Sequence, residues 1–497
     1  MQNIINGPKT TELNWVDGIR DGKPFKGHTY GISNGAGGGH KAMADAIRFK
    51  FSQSAEEGNE FQQADILRST FLPTFVASKV ERAWDDAKRA GDVAKQEALV
   101  RGKFLGLIPY NVLADYIFFI PIFIKTFITL LRDRKITQII DTQPIGTGAV
   151  IKAARLANFL FNTHVRVLKV MTDLPKEAIH FAPGLSQADR SIYTLLATPP
   201  FKPKEGESEN DYNSRVNDWW KEHFGLDPGQ VEYIKPPLRP AFEQIASQPV
   251  PQELGVKINS DEELALLKSI SIFKEEDIPK EEKTNVLGPN GIPVEETYRR
   301  LSYTVNPEDT VGLITIGSQA NIEATKAYVN DLIDMVNQSN TMVREGEERR
   351  KFHLFVASGR HIPNENTLFK QLIDLIDVKQ IEGTFPDNLS IIPMGFQSDK
   401  EMAPAMKRAD FGIYGAGGIT SFEVNEVAEG QIFIHSDAKG AKVEMSEEEL
   451  TQELLKGLAL WERGNAESQV ETHEGRAALV SPHDIFRKRL DQVIFAP

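Results

Sequence analysis

A chain of 497 residues is longer than one hydrophobic core organises, so two domains with insertions are expected. Its 57 basic against 70 acidic residues give a net charge of −13, which argues against general nucleic-acid binding. The absence of cysteine excludes disulfides, thiolate metal sites and cysteine nucleophiles, and fits a reducing, cytoplasmic setting.

Met1 to Thr10 lack a charged-then-apolar pattern, so no secretory targeting is expected. His28 to Ile32 reads as a short strand. It runs into the glycine cluster Gly35-Ala-Gly37-Gly38-Gly39-His40, after which Ala42, Ala46, Ile47 and Phe51 recur at helical spacing. Such a strand-to-helix turn lets backbone approach a ligand and points unpaired N–H groups at an anion or a developing negative charge. A glycine-rich loop without a ligand has the same composition. Residues 48–140 read mostly as helix. Within them, Tyr116 to Leu131 is the most apolar segment of the chain, but Pro121 and Lys125 interrupt it and it is too short to span a bilayer. It is either buried core or an acceptor-side or membrane-facing helix, since Arg132, Arg134 and Lys135 follow at once.

Ile136 to Ile140 is a second strand, leading through Asp141-Thr-Gln143-Pro144 into a helix from Ala149 to Phe161. Val165 to Met171 is a third, closing on Thr172-Asp173, and Ser191 to Leu196 a fourth. Strands alternating with helices imply a mainly parallel sheet whose ligands bind beyond the carboxyl ends of the strands. Residues 200–230 read as a surface insertion with a short helix from Val216 to Phe224. The prolines of Val231 to Phe242 suit an interdomain connection. A boundary at 242/243 divides a first domain, 1–242, from a second, 243–480. Residues 245–305, acidic and irregular, are expected to be a peripheral elaboration or mobile loop.

From Thr310 the alternation resumes. Strands at Val311–Ile316, Phe352–Val356, Ser390–Met394 and Phe411–Tyr414 are each followed by a loop, with helices at Glu323–Val336 and Asp399–Arg408. The last strand ends in a second glycine cluster, Gly415-Ala-Gly417-Gly418-Ile419-Thr420, opening a helix that carries Glu423. The fold class is α/β with two parallel-sheet domains facing across a cleft.

The second cluster is built to hold phosphate, because glycine N–H groups, the Thr420 hydroxyl and a helix dipole converge there. Glu423, one turn on, can accept both hydroxyls of a ribose; it is also an ordinary acid for a first helical turn, and Glu426 competes for the role. Gly317-Ser318 offers further donors to a diphosphate. His40 is the candidate general base, as imidazole titrates near neutrality, with a solvated helix-start histidine as the alternative. Asp173 orients a base, binds an acceptor hydroxyl, or caps a helix. His361 and His435 stand alone, without metal-ligand spacing.

The order Gly37-Gly-Gly-His40, Asp141-Thr-Gln-Pro144, Met171-Thr-Asp173, Pro237-Leu-Arg-Pro240, Gly317-Ser318, Gly395-Phe396 and Gly415 to Glu423 resembles the GT-B fold glycosyltransferases. Within them it is most similar to the diacylglycerol glycosyltransferases (monogalactosyldiacylglycerol synthase and diglucosyldiacylglycerol synthase), relatives of the peptidoglycan N-acetylglucosaminyltransferase. The similarity runs from about Gly31 to Gly430. It implies two Rossmann-like domains, and inverting transfer of a sugar from a nucleotide diphosphate donor, UDP-sugar first, without a metal or other cofactor. It implies that His40 and Asp173 are catalytic, and that Gly37, Gly38, Gly39 and Gln143 lie on the acceptor side. Gly317, Ser318, Gly415, Gly417, Gly418, Ile419 and Thr420 would hold the donor diphosphate, Glu423 the ribose, and Phe396 would flank the nucleobase.

It further implies a last helix, within 481–497, that packs back on the first domain. The acceptor would be a hydroxyl, on a lipid if residues 116–135 contact a membrane surface, and no nucleic acid is expected as partner. Two departures stand out: Gln143 replaces the family's histidine, and Ile432 to Lys442 lacks the Gln-Glu-x-x-Asn type segment that reads the donor sugar. An epimerase or hydrolase of the same fold, or a non-catalytic sugar-nucleotide-binding protein, are the rival readings.

Overall fold

The computed structural model describes residues 28–33, 39–54, 60–65, 82–83, 85–101, 103–104, 108–143, 146–174, 185–274, 276–287, 293–317, 321–344 and 348–495. Strands β1 (His28–Ser33), β2 (Phe61–Asp65), β3 (Ile136–Asp141), β4 (Arg166–Val170), β5 (Tyr193–Ala197) and β6 (Val231–Tyr233) form one six-stranded sheet. Its order is β2-β1-β3-β4-β5-β6 and every pairing is parallel. Strands β1 and β5 are buried along their whole length, which is why neither shows an alternation of apolar and exposed polar residues. The helices that matter to the site here are α1 (Gly39–Ser54), α2 (Tyr110–Arg132), α3 (Thr147–Phe161) and α4 (Glu209–Phe224).

Helix α2 resolves the two readings of the apolar segment by dividing it lengthwise. Phe118, Ile122 and Leu130 are buried, whereas Ile117, Phe119, Ile120, Ile124 and Leu131 are exposed. Helix α4 begins well before the expected Val216, because Ser208 caps it by accepting from Asp211 N, and it stops where Gly225 takes a left-handed conformation at φ 63°.

Residues 245–305 correct an expectation. After α5 (Pro240–Ala246), strands β7 (Glu253–Ile258), β8 (Lys280–Leu287) and β9 (Pro293–Thr304) pair as an antiparallel sheet in the order β8-β9-β7. Leu254, Val256 and Ile258 of β7, with Tyr298 and Leu301 of β9, are buried, while Glu295 and Glu296 of β9 are exposed and Arg299 and Arg300 half-buried. β7 alternates by period two, whereas in β9 charge falls on consecutive residues, which conceals the strand in the sequence. Helix α5 spans the expected boundary, and its Phe242 is buried in the core shared with the second domain.

The second large sheet holds β10 (Thr310–Thr315), β11 (Phe352–Ala357), β12 (Leu389–Met394), β13 (Phe411–Tyr414), β14 (Gln431–His435) and β15 (Ala477–Val480). Its order is β12-β11-β10-β13-β14-β15, again parallel throughout. Helices α6 (Ile322–Met342), α7 (Asp399–Arg408), α8 (Gly418–Val427) and α9 (Leu460–Thr472) accompany it. The closing helix, α10 (Asp484–Leu490), packs on this second domain: Phe486 meets Tyr328 and Phe433, and Arg487 pairs with Asp331 and Asp334 of α6.

One apolar cluster belongs to the first sheet alone. The other crosses between the domains, joining Met43 and Ile47 of α1 and Ile140, Leu168 and Val170 of β3 and β4 to the core of the second sheet. The expected cleft is therefore drawn together into a seam, with shared apolar burial holding its walls in contact.

Candidate interdomain active site

In an open parallel sheet the ligand crevice lies outside the carboxyl ends of the strands where strand order reverses. In the first sheet that point falls between β1 and β3, and in the second between β10 and β13. Gly39-His40 and Thr142-Gln143 stand at the first; Gly317 and Gly415 to Gly418 stand at the second. Gly39 and the second glycine cluster therefore sit at switch points, and the two points meet across the seam: a Cβ on Gly39 would lie 3.7 Å from Ile419 Cγ2.

His40 is held from the main chain of the β3 end. Its Nδ1–H donates to the Thr142 carbonyl at 2.7 Å and lies 3.2 Å from Thr172 Oγ1, while Thr142 Oγ1 donates to the His40 carbonyl at 2.9 Å. With the proton on Nδ1, Nε2 carries the lone pair, which is the tautomer of a base. Burial pushes the imidazole pKa down to about 4, the buried Lys169 cation adds to the fall, and the Thr142 carbonyl and Asp141 oppose it. His40 is therefore neutral at pH 7.

Below it lies a wholly buried ion pair. Lys169 Nζ is 3.4 Å from Asp141 Oδ1 and also donates to the Gln143 carbonyl, and Asp141 accepts from Gln143 N at 3.0 Å and Thr147 Oγ1 at 2.8 Å. These bonds fix the main chain of Gln143. Its buried side-chain amide has no hydrogen-bond partner among the described residues. Gly146, at φ 83°, completes the turn, and a Cβ there would overlap Ile122 of α2, so the apolar helix braces this loop.

The second switch point draws on the first domain for its partners. Gly418 N–H, at the start of α8, donates to Asp173 Oδ1 at 2.9 Å. The same oxygen accepts from Asn465 Nδ2 at 3.0 Å, and Asn465 also receives Leu174 N at 2.7 Å and reaches the Ala416 carbonyl at 2.9 Å. A Cβ on Gly418 would overlap the Thr172 carbonyl, and one on Gly464 would overlap that of Leu174, so backbone lies on backbone at both places. Burial raises the Asp173 pKa, against the hydrogen bonds from Asn465, Gly418 and Thr172 that lower it.

Glu423 is almost fully buried, and both its oxygens accept from Arg239, at 2.6 Å from Nε and 2.7 Å from Nη2. Burial raises its pKa despite the guanidinium. Glu426 pairs with Lys235 at 2.9 Å. Both candidate ribose acids are thus engaged by the segment that links the domains, and a ribose diol would have to displace Arg239 to reach Glu423. A Cβ on Gly417 would meet nothing within 4 Å, which leaves the approach to the α8 N-terminus open on that side. Gly317 adopts φ 87°, a left-handed turn that favours glycine, and Phe396 stands 55% exposed beyond β12.

No family model and no curated protein matches the chain. Among solved structures it is similar to MurG of Acinetobacter baumannii, with 12% identity over 94% of this chain and 90% of that one, at a TM-score of 0.43. It is similar too to apo OtsA, with 11% identity over 95% and 92% and a TM-score of 0.41. A third similarity is to UDP-GlcNAc 2-epimerase of Neisseria meningitidis bound to UDP-GlcNAc, with 10% identity over 94% and 99% and a TM-score of 0.36. The two six-stranded parallel sheets with their helices form the two-domain α/β arrangement expected from the sequence.

Of the expected site residues, the structure brings together His40, Gly39, Gln143, Asp173, Gly415, Gly417, Gly418, Ile419 and Thr420 at the seam; Gly37, Gly38 and Ser318 lie outside the described residues. Four participants were not singled out by sequence: Lys169, Arg239 as the partner of Glu423, Asn465 and Asp437. Lys169 leaves a trace, a cation inside the buried run of β4, which demands a counter-charge. Asp437 stands where a sugar-reading segment is missing and binds Asn321 at 2.6 Å and His435 at 3.1 Å, so His435 is no longer solitary. Among the described residues no group of three or more His, Asp or Glu side chains could hold a metal ion.

Proposed function

We propose that the protein transfers a sugar, with inversion, from a nucleoside diphosphate sugar, a UDP-sugar first of all, to an acceptor hydroxyl. The observation that carries this reading is the meeting of the two switch points at one seam, where the N–H of Gly418 already donates to a side-chain oxygen of Asp173. That N–H and the helix dipole behind it suit a diphosphate, and backbone donors near Gly317 would share the charge that develops as the leaving group departs. Phe396 offers an exposed aromatic face for the base.

In this reading His40 Nε2 removes the acceptor proton, the acceptor oxygen attacks the anomeric carbon, and the bond from that carbon to the diphosphate oxygen breaks. Asp173 leaves the α8 N-terminus when the donor arrives and is then available to the acceptor hydroxyl. Arg239 and Glu423 must part for the carboxylate to bind ribose, or remain paired and act only as scaffold.

The exposed face of α2 supports a lipid acceptor. Ile117, Phe119, Ile120, Ile124 and Leu131 are exposed, as are Phe159 and Leu160 at the end of α3, and Arg132, Arg134 and Lys135 lie at and just beyond the end of α2. Exposed apolar residues followed by cations suit the surface of an anionic bilayer. Among the described residues no helix is long and apolar enough to cross a membrane.

Calorimetric titration with UDP and GDP, followed by donor turnover with and without anionic lipid vesicles, tests the reading. Turnover of the donor that rises with vesicles supports a lipid-directed transferase; turnover without any acceptor favours the epimerase or hydrolase. Failure of both nucleotides to bind removes the proposal.

A further inference from the structure

Beside the contact between Asp173 and Asn465 lies a cavity of about 360 Å³, within the ~300–1,000 Å³ typical of small-molecule sites. It opens outside the carboxyl ends of β4 and β5, where a parallel sheet binds its ligands, and α9 of the second domain closes its far side. Met171 and Leu174 line it while flanking Thr172-Asp173, and Gly464 lines it immediately before Asn465. Whatever occupies the cavity therefore lies next to the carboxylate that holds the α8 N-terminus.

The remaining lining narrows the chemistry. Phe201 and Trp219 give aromatic surface, and Glu467 and Glu471 give carboxylates. His223 Nδ1–H donates to the Trp219 carbonyl at 3.0 Å, which leaves Nε2 as a hydrogen-bond acceptor. Two acids repel a phosphate or an anionic headgroup. A quaternary ammonium wants open ring faces around it, but Arg215 covers the Phe201 ring at 4.0 Å and the His223 ring stacks on Trp219 at 4.7 Å. What suits acceptors together with an aromatic edge is a ligand that presents several hydroxyl donors and apolar C–H groups on one ring.

We propose that this cavity binds a neutral polyhydroxylated ring, a sugar or cyclitol head carried by the acceptor. That it is the acceptor's head rests on the transferase reading above; that it binds such a ring does not. Trp219, His223 and Glu471 become specificity-determining residues supplied by α4 and α9, and α4 belongs to the excursion that follows β5.

The test uses the full chain, titrated calorimetrically with methyl β-D-glucopyranoside and methyl β-D-galactopyranoside, with tetramethylammonium chloride and inorganic phosphate alongside. At least one glycoside is expected to bind saturably, and Glu471→Gln and Trp219→Ala are each expected to weaken it about tenfold or more, as loss of a hydrogen bond to a charged group or of a buried aromatic contact does. Glu471 is exposed, so its substitution leaves the fold intact even if Trp219→Ala does not. No saturable binding of either glycoside, binding unchanged in Glu471→Gln, or tighter binding of tetramethylammonium than of any glycoside each overturns the proposal. UDP and GDP are titrated in the same samples: glycoside binding without binding of either nucleotide keeps the cavity and removes the transferase reading, whereas nucleotide binding without glycoside binding does the reverse.

Discussion

The two switch points solve the same problem in opposite ways. The first is self-contained: Asp141, Lys169, Thr142 and Thr172 satisfy one another and orient His40 with bonds drawn from a single domain. At the second, the helix terminus and the buried acid are both completed from across the seam, by Asp173 and Arg239. A site finished by its neighbour changes when the neighbour moves, so ligand binding at the second point and domain separation are linked, while the first point keeps its geometry in either state.

The sharpest break of that contrast is Arg239→Ala. It leaves the Glu423 carboxylate buried without its counter-charge, and a loss of ~3–5 kcal/mol in stability is expected, read as a fall in Tm. Combining it with Glu423→Leu should recover a large part of the loss. Next in size is Gly418→Ala, whose methyl would overlap the Thr172 carbonyl; about 1–3 kcal/mol of destabilisation is expected. Small-angle scattering should show the domains further apart.

Asp173→Ala should act on binding more than on folding. If the carboxylate and a diphosphate compete for Gly418 N–H, UDP should bind about tenfold more tightly to the variant, a shift of about 1.4 kcal/mol by calorimetry. Weaker UDP binding would instead make Asp173 part of the donor site. Because the Asp173 pKa is raised, its contribution to the seam is fully present below the ordinary carboxylate value of 3.8 and is lost as pH rises through the raised one. Asp173→Asn should flatten that dependence.

The smallest effect is the most local. An NMR titration should show His40 taking up its proton near pH 4, and Lys169→Met should move the midpoint back toward 6.5. Since the folded pKa is the lower one, His40 contributes stability above pH 6.5 that declines as pH falls toward 4.

Much of the frame could be read from residues alone. β4, β5 and most strands of the second parallel sheet are largely buried and rich in apolar residues, and glycines mark the reversals after β1 and β13. The consecutive charges of β9 hid a sheet in residues that read as irregular. At the site, Arg239 and Glu423 both lie in recognisable motifs, but 184 residues separate them and only the fold makes them a pair. Asn465 has no local signature whatever, because its importance comes from standing beside a carboxylate 292 residues away. Pairings of that range are a property of topology, and sequence periodicity is silent about them.

The glycines at 418 and 464 determine how the domains can part. Where carbonyl oxygens rest on bare Cα atoms, no side chain is interlocked with another, so separation there demands no rotamer change on either face. The contact behaves as a plain bearing with hydrogen-bonded catches at Asp173, Asn465 and Arg239. Its release breaks a handful of polar bonds that water or an incoming anion can replace one at a time, together with the apolar contacts of α1, β3 and β4 with the second domain, and its return is guided by the same few bonds into a single seating.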